Sequence, residues 1–272
     1  MIRIKTKEEL IIIRNGGRKL ATILNEVIKM VAIGVNTVDL EAHALLRMKE
    51  EGGKPAFKGY LMPDGRAFPS ALITCLNNEV VHAPAVPGRI LKDGDIIKID
   101  VGFIYPVPNE ANTRNNYHES GGYFTDMSKT VIVGQVDEKV QKLVDTTKES
   151  LYAGVDRVKP GNTLNDIGTA IQKHVEMRGF SVVRELVGHG VGHELHEAPQ
   201  VPHYAIKGME FRNVKLKSGM VIAIEPMVNI GDWPVKTGAN GFTIETKDGS
   251  LSAHFEHSVA VTDDGFLILT EV

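Results

Sequence analysis

One cysteine, Cys75, is all that the 272-residue chain carries, so it can form neither an internal disulfide nor a cysteine-based zinc finger. So little thiol fits a reducing compartment, and the cytoplasm is the expectation. Long apolar runs are also missing. The stretch 220–224 (MVIAI) falls far short of the roughly 18 residues a membrane span needs. The start, MIRIKTKEEL, is charged and lacks the apolar core of a secretory signal. Neither sign of charge dominates: 31 basic and 34 acidic side chains leave a formal net charge of −3, so no overall field draws the chain to nucleic acid or anionic lipid. Aromatic residues are sparse at 6%. What remains, 42% hydrophobic and 24% charged residues, is ordinary for a folded globular chain and excludes a disordered or collagen-like one.

Thr6 followed by Glu9 has capping-box spacing and opens a helical pattern in which Leu10, Ile13, Gly17, Leu20, Leu24, Val27 and Val31 share one face. A second helix is predicted from Thr37 to about Gly52-Gly53. Strands are predicted over 71–76, 95–104 and 123–133, where β-branched residues dominate. From Asp137 the pattern is helical again, breaks at Pro160-Gly161 and resumes at Thr163. The last hundred residues read as strands divided by turn signals at 238–241, 247–249 and 263–265. A shift of 126 residues places Asn36-Thr37 on Asn162-Thr163, Ala44 on Ala170, Glu50 on Glu176 and Gly53 on Gly179. Each copy runs helix, break, helix, then strands. The fold class predicted is α+β, two related halves sharing one sheet within a single domain, residues 1–272.

Four predicted strands each hold one carboxylate among apolar neighbours: Asp100, Asp126, Glu225 and Glu256. A single such acid belongs most often on the solvent face of a half-exposed strand. Four of them facing inward would repel one another, and a pair of divalent cations is the simplest way to neutralise them. The only basic residues in these strands are Lys98 and Lys129. A nitrogen ligand is at hand in Gly188-His189-Gly190-Val191-Gly192, whose alternating glycines disfavour a helix and let backbone approach closely. His196 and His82 lie beside similar segments. The stretch His193-Glu194-Leu195-His196-Glu197 is one residue short of the HExxH pattern, so the two histidines cannot share a helical face and a zincin is rejected.

Taken in order, Asn78-Glu79-Val80-Val81-His82, Lys98-Ile99-Asp100-Val101, Thr125-Asp126-Met127-Ser128-Lys129-Thr130, the glycine-flanked His189, His196-Glu197-Ala198-Pro199, Ile224-Glu225-Pro226-Met227 and Glu256-His257 resemble type I methionine aminopeptidases. The resemblance implies the pita-bread fold, with two pseudo-symmetric halves sharing a curved antiparallel sheet. It implies two divalent metal ions (Co, Mn, Fe or Zn) held by Asp100, Asp126, His189, Glu225 and Glu256, with Asp126 and Glu256 shared between them. A water held by both ions would ionise near neutral pH and attack the carbonyl of the first residue. By the same resemblance His82 and His196 face substrate, Glu225 shuttles the proton, and Tyr60, Leu195 and Phe242 wall the methionine pocket. The substrates implied are peptides and nascent chains with an N-terminal methionine.

The chain departs from that pattern in three places. Between Asp100 and Asp126 lies a loop of residues 105–122 rich in Asn, Gly and Pro, read as an insertion at a hairpin tip; a surface loop is expected there, a ribosome contact or a lid being the alternatives. His193 stands where family members more often have arginine and is expected to be exposed. Phe242 stands where many have tryptophan. Two rival functions follow from the same residues: a prolidase-type enzyme of this fold, and a binding protein that has lost catalysis. The second is disfavoured because all five ligands are present. A monomer without membrane or nucleic-acid partners is expected.

Overall fold

The structure is a computed structural model that describes residues 1–62, 64–107, 121–206 and 214–272. Its first helix, α1 (Lys7–Met30), starts at the expected capping box. The Thr6 hydroxyl accepts from the Glu9 amide at 3.2 Å, and the Glu9 carboxylate accepts from the Thr6 amide at 2.7 Å. Ile13, Leu20, Leu24 and Val27 on its predicted stripe are fully buried, while Val31 lies past the last turn as the C-cap. The other helices are α2 (Thr37–Glu50), α3 (Glu138–Val155) and α4 (Leu164–Glu176).

The internal repeat is offset by one residue at the caps. Asn36 caps α2, but its counterpart Asn162 sits before the cap of α4, which is Thr163. The reason is local. The Thr37 hydroxyl is buried, donates to the Ala85 carbonyl at 2.8 Å and accepts the Arg89 amide at 3.0 Å, so its oxygen is taken up away from the helix; the Thr163 hydroxyl donates to the Asp166 carboxylate at 2.7 Å.

The strands are β1 (Lys54–Pro55), β2 (Leu72–Leu76), β3 (Glu79–Val81), β4 (Ile96–Tyr105), β5 (Tyr123–Ile132), β6 (Ser181–Val182), β7 (Gly188–Gly190), β8 (Glu197–Val201), β9 (Val221–Ile224), β10 (Met227–Asn229), β11 (Val235–Thr237), β12 (Ile244–Thr246), β13 (Ser252–His254), β14 (Glu256–Val261) and β15 (Phe266–Ile268). A nine-stranded antiparallel sheet runs β1-β4-β5-β14-β9-β7-β8, with β2 added on β4 and β15 on β14. At its centre β5 of the first half pairs β14 of the second, so each half contributes two neighbouring strands, β4–β5 and β9–β14. Under each half lies its own apolar layer: Leu20, Leu24, Leu40 and Met48 against Ile97, Ile99 and Val101 in the first, Leu143, Leu151, Ile167 and Ile171 with Ile222, Ile224 and Val259 in the second. Helices cover one face of the sheet and leave the other for a site.

β4 and β5 pair without interruption from Ile96 opposite Ile132 to Tyr105 opposite Tyr123. The segment expected as an insertion therefore leaves from the end of a hairpin; residues 108–120 of it lie outside the described residues. No helix among the described residues is long and apolar enough to cross a membrane.

Candidate active site

Sheet register alone gathers the acids. Ser128 of β5 lies opposite Asp100 of β4 on one side and opposite Glu256 of β14 on the other. Residues opposite one another on neighbouring strands share a face, and so do residues two apart on one strand. Asp126, two before Ser128, therefore joins Asp100 and Glu256. Glu225 sits one residue past β9 rather than on a strand, next to Ile224, which pairs with His257. Proline at 226 has no amide hydrogen, which suits the end of the strand there.

All four carboxyls are withdrawn from water, Asp100, Asp126 and Glu256 to 7%, 3% and 2% exposure. Burial, followed by repulsion from the neighbouring acids, raises the pKa of Asp100, Glu225 and Glu256 well above the ordinary carboxylate range; burial raises that of Asp126. Neither lysine of these strands relieves the cluster. The Lys98 ammonium, pushed down to about 8 by burial, donates to the Asn77 carbonyl at 2.8 Å, and Lys129 donates to Asn25 at 2.9 Å. Asp100 Oδ1, Asp126 Oδ1 and Glu256 Oε1 are buried without a hydrogen-bond partner. Oxygens left in that state cost stability unless a cation meets them. The donor set fits divalent metal: ligand atoms of Asp126, His189 and Glu256 lie within 4.8 Å of one another, as do those of Glu225, His254 and Glu256.

His189 is carried by β7, as its glycines foretold. A side chain at Gly188 would strike the Ala223 carbonyl, and one at Gly190 the Ala198 carbonyl, so only glycine lets this strand lie between β8 and β9. The His189 ring donates from Nδ1 to the Gly190 carbonyl (2.9 Å), which leaves Nε2 3.4 Å from Glu225 Oε1. Burial pushes its pKa down to about 3, so the ring is a neutral donor.

A cavity of about 530 Å³ opens onto the acids. It is walled by Phe57, Tyr60, Phe68, Ile73, Leu195 and Met227, with His82, His189 and His196 on its polar side. His82 has a φ of 63°, a left-handed backbone that non-glycine residues seldom adopt; such positions cluster at functional sites. Burial lowers its pKa to about 4 and that of His196 in the same direction. The His196 ring stands 4.5 Å from that of His189, and its Nδ1 lies 3.4 Å from the Tyr60 hydroxyl. Tyr60 and Leu195 line the cavity. Phe242 is not part of that lining; it packs edge-on against Phe68, which is, at 5.6 Å. Arg66 stacks over its outer face at 4.3 Å.

The segment bearing Leu195 and His196 is tied to the N-terminus. The Lys5 ammonium meets Glu197 Oε2 at 2.9 Å with both side chains almost fully buried, and Glu197 Oε1 accepts the His193 amide at 2.6 Å. His193 is not the exposed residue expected, for its ring sits 2.7 Å from Glu9. Sequence reasoning also missed His203, whose Nε2 accepts the Glu225 amide at 3.1 Å, and His254, whose Nε2 lies 3.7 Å from Glu225 Oε2. A histidine two residues before Glu256 was a signal available for the second.

Residues 12–263 match the model of metallopeptidase family M24. The chain is 44% identical to methionine aminopeptidase 1 of Bacillus subtilis over 273 residues, covering 100% of each. The solved methionine aminopeptidase of Thermotoga maritima superposes with a TM-score of 0.89 at 40% identity, again covering 100% of both chains. The prolidase of Pyrococcus horikoshii shares the fold at a TM-score of 0.71, but with 22% identity and with 63% of its chain covered. Full-length identity of this order, with the pita-bread sheet and the acid cluster on its open face, makes the chain a member of metallopeptidase family M24 and, within it, of the methionine aminopeptidases.

Proposed function

We propose that this methionine aminopeptidase, which removes the initiator methionine from its substrates, works with two divalent ions held by Asp100, Asp126, His189, Glu225 and Glu256. The observation that carries this reading is the buried carboxylate cluster with orphaned oxygens, facing a cavity of side-chain size. Bound there, divalent ions supply Lewis acidity to the substrate carbonyl and bring the ionisation of water near neutral pH. The remaining work falls to the chain's own groups. Phe57, Phe68, Ile73 and Leu195 take the thioether side chain out of water, which sets the preference for methionine. Glu225 accepts the proton of the attacking water and passes it to the leaving amine. His196 donates to the oxygen on which charge develops, a contact of the kind worth about 2.7–4 kcal/mol. His82 holds the scissile amide. Tyr60, at 3.4 Å from His196, orients its ring.

Nascent chains and peptides with free N-terminal methionine are the substrates, and the cytoplasm is where they are met. Anaerobic purification with metal analysis, followed by a panel of Met-Ala-Ser, Leu-Ala-Ser and Ala-Pro-Ser, tests the proposal. Two equivalents of transition metal and cleavage confined to the methionine peptide are expected. A single tightly bound equivalent with full turnover would refute the two-ion reading, and cleavage of Ala-Pro-Ser would favour a prolidase.

A further inference from the structure

Glu225 lies between two imidazoles, His189 and His254, of which only His189 belongs to the five proposed ligands. His189 Nε2 faces Oε1 of its carboxylate at 3.4 Å, and His254 Nε2 faces Oε2 at 3.7 Å. His254 is 1% exposed and neither ring nitrogen has a hydrogen-bond partner. A buried polar ring in that state is costly to keep, so its orientation toward Glu225 asks for a reason. The backbone that carries the ring is fixed. The backbone of His254 is locked on both sides by Thr130, whose hydroxyl accepts from its amide at 2.9 Å and donates to its carbonyl at 2.7 Å, and β13 pairs His254 with Met227, two residues past Glu225.

We propose that His254 is a positioning residue for Glu225, its Nε2–H holding the carboxylate oxygen that faces away from His189. A neutral imidazole has one N–H; neither nitrogen of His254 has a hydrogen-bond partner, but Nε2 faces the Glu225 carboxylate, so the proton is placed there. Closing from 3.7 Å to hydrogen-bond range needs about half an ångström, within reach of a small carboxylate rotation. The arrangement settles which oxygen Glu225 presents toward His189 and which is held. His203 completes it from the other side, since its Nε2 accepts the Glu225 amide and fixes the backbone from which the carboxylate projects. Partners of this kind behind a ligand typically contribute about 10–100-fold to metal affinity.

The inference rests on Glu225 being a metal ligand, so the experiment tests the two separately. Chelator-treated full-length protein and its variants His254→Met, His254→Gln, His254→Asn and Glu225→Gln are titrated with Co(II) without oxygen, by calorimetry and by visible absorption. His254→Met is expected to weaken Co(II) binding about 10–100-fold. His254→Gln is expected to recover to within about threefold of the parent, because a glutamine amide offers an N–H at similar reach. The Co(II) bands of His254→Gln should keep the parent's positions, since the groups touching the ion are unchanged. His254→Asn, one methylene shorter, should stay weak, and it replaces His254→Met if that variant does not fold. Parent-like affinity in the weak pair, no recovery in His254→Gln, or bands shifted by loss of a nitrogen ligand would each overturn the inference. If Glu225→Gln bound Co(II) like the parent, the ligand assignment itself would fail. If it weakened binding while His254→Met or His254→Asn did not, only the role of His254 would fall.

Discussion

Lys5 and Glu197 bury opposite charges 2.9 Å apart, and the second oxygen of Glu197 takes a backbone amide. A few residues along the same wall of the cavity, Asp100, Asp126, Glu225 and Glu256 bury like charges, three of them with an oxygen that nothing satisfies. Glu41 makes a third case: it is buried in α2, yet its two oxygens accept the amides of Ala71 and Leu72 at 2.7 and 2.8 Å. Burial of an acid therefore does not by itself announce chemistry. Where the polar atoms are met from within the protein, as at Glu41 and Glu197, the acid is part of the scaffold. Where they are left open and of one sign, the protein is incomplete without a cation.

The comparison is broken most severely at its functional side. Asp126→Ala is expected to abolish metal loading and lower kcat/KM by about 10³-fold or more, read by metal analysis and peptide hydrolysis. His82→Ala should cost about 10²-fold in kcat while metal content stays at the parent level; loss of metal in that variant would show that His82 belongs to the cluster rather than to the substrate side. On the scaffold side, Lys5→Met leaves Glu197 buried without its cation and should destabilise by about 3–5 kcal/mol in denaturant unfolding. Replacing both, Lys5→Met with Glu197→Gln, should restore part of that loss, with metal content unaffected throughout.

A pH series on stripped protein sharpens the contrast with the smallest effect. The cluster carboxyls have folded pKa values above the unfolded ones of about 4, so the folded state holds more protons. On their account the metal-free protein is most stable below about pH 4 and loses that stability as pH rises through the raised folded values, by on the order of 1–3 kcal/mol between about pH 5 and 7. Metal-loaded protein should lose that slope, because bound cations favour the ionised form. Thermal unfolding of both forms between pH 5 and 7.5 measures it, and parallel curves would mean that the acids are not neutralised by metal.

Much of this was legible in the residues. The capping box at Thr6 and the turns to helical pattern at Thr37 and Asp137 are local chemistry and placed three helix starts to within a residue or two. Asp100 and Asp126 stood out because they interrupt apolar runs, and His189 because only glycines flank it. His203 and His254 were illegible for the opposite reason: each looks like any histidine in a turn-rich segment, and their contact with Glu225 is made across 22 and 29 residues of chain respectively. The resemblance names Phe242 as a pocket wall; in the structure it packs against Phe68, and a residue's depth behind its neighbour is decided by packing. His193 misled similarly, since its partner Glu9 lies at the other end of the sequence.

The sequence by itself determined the class of fold, the duplicated order of elements and the four strand carboxylates that could meet a metal, because periodicity, capping and unusual residues among apolar neighbours are local properties. Only the tertiary structure decided which acids are satisfied and which are left open, which histidine faces which oxygen, and that a lysine five residues from the start braces the segment carrying His196. Those are matters of distance between residues far apart in the chain, and they depend on the register in which β4, β5, β14 and β9 come together.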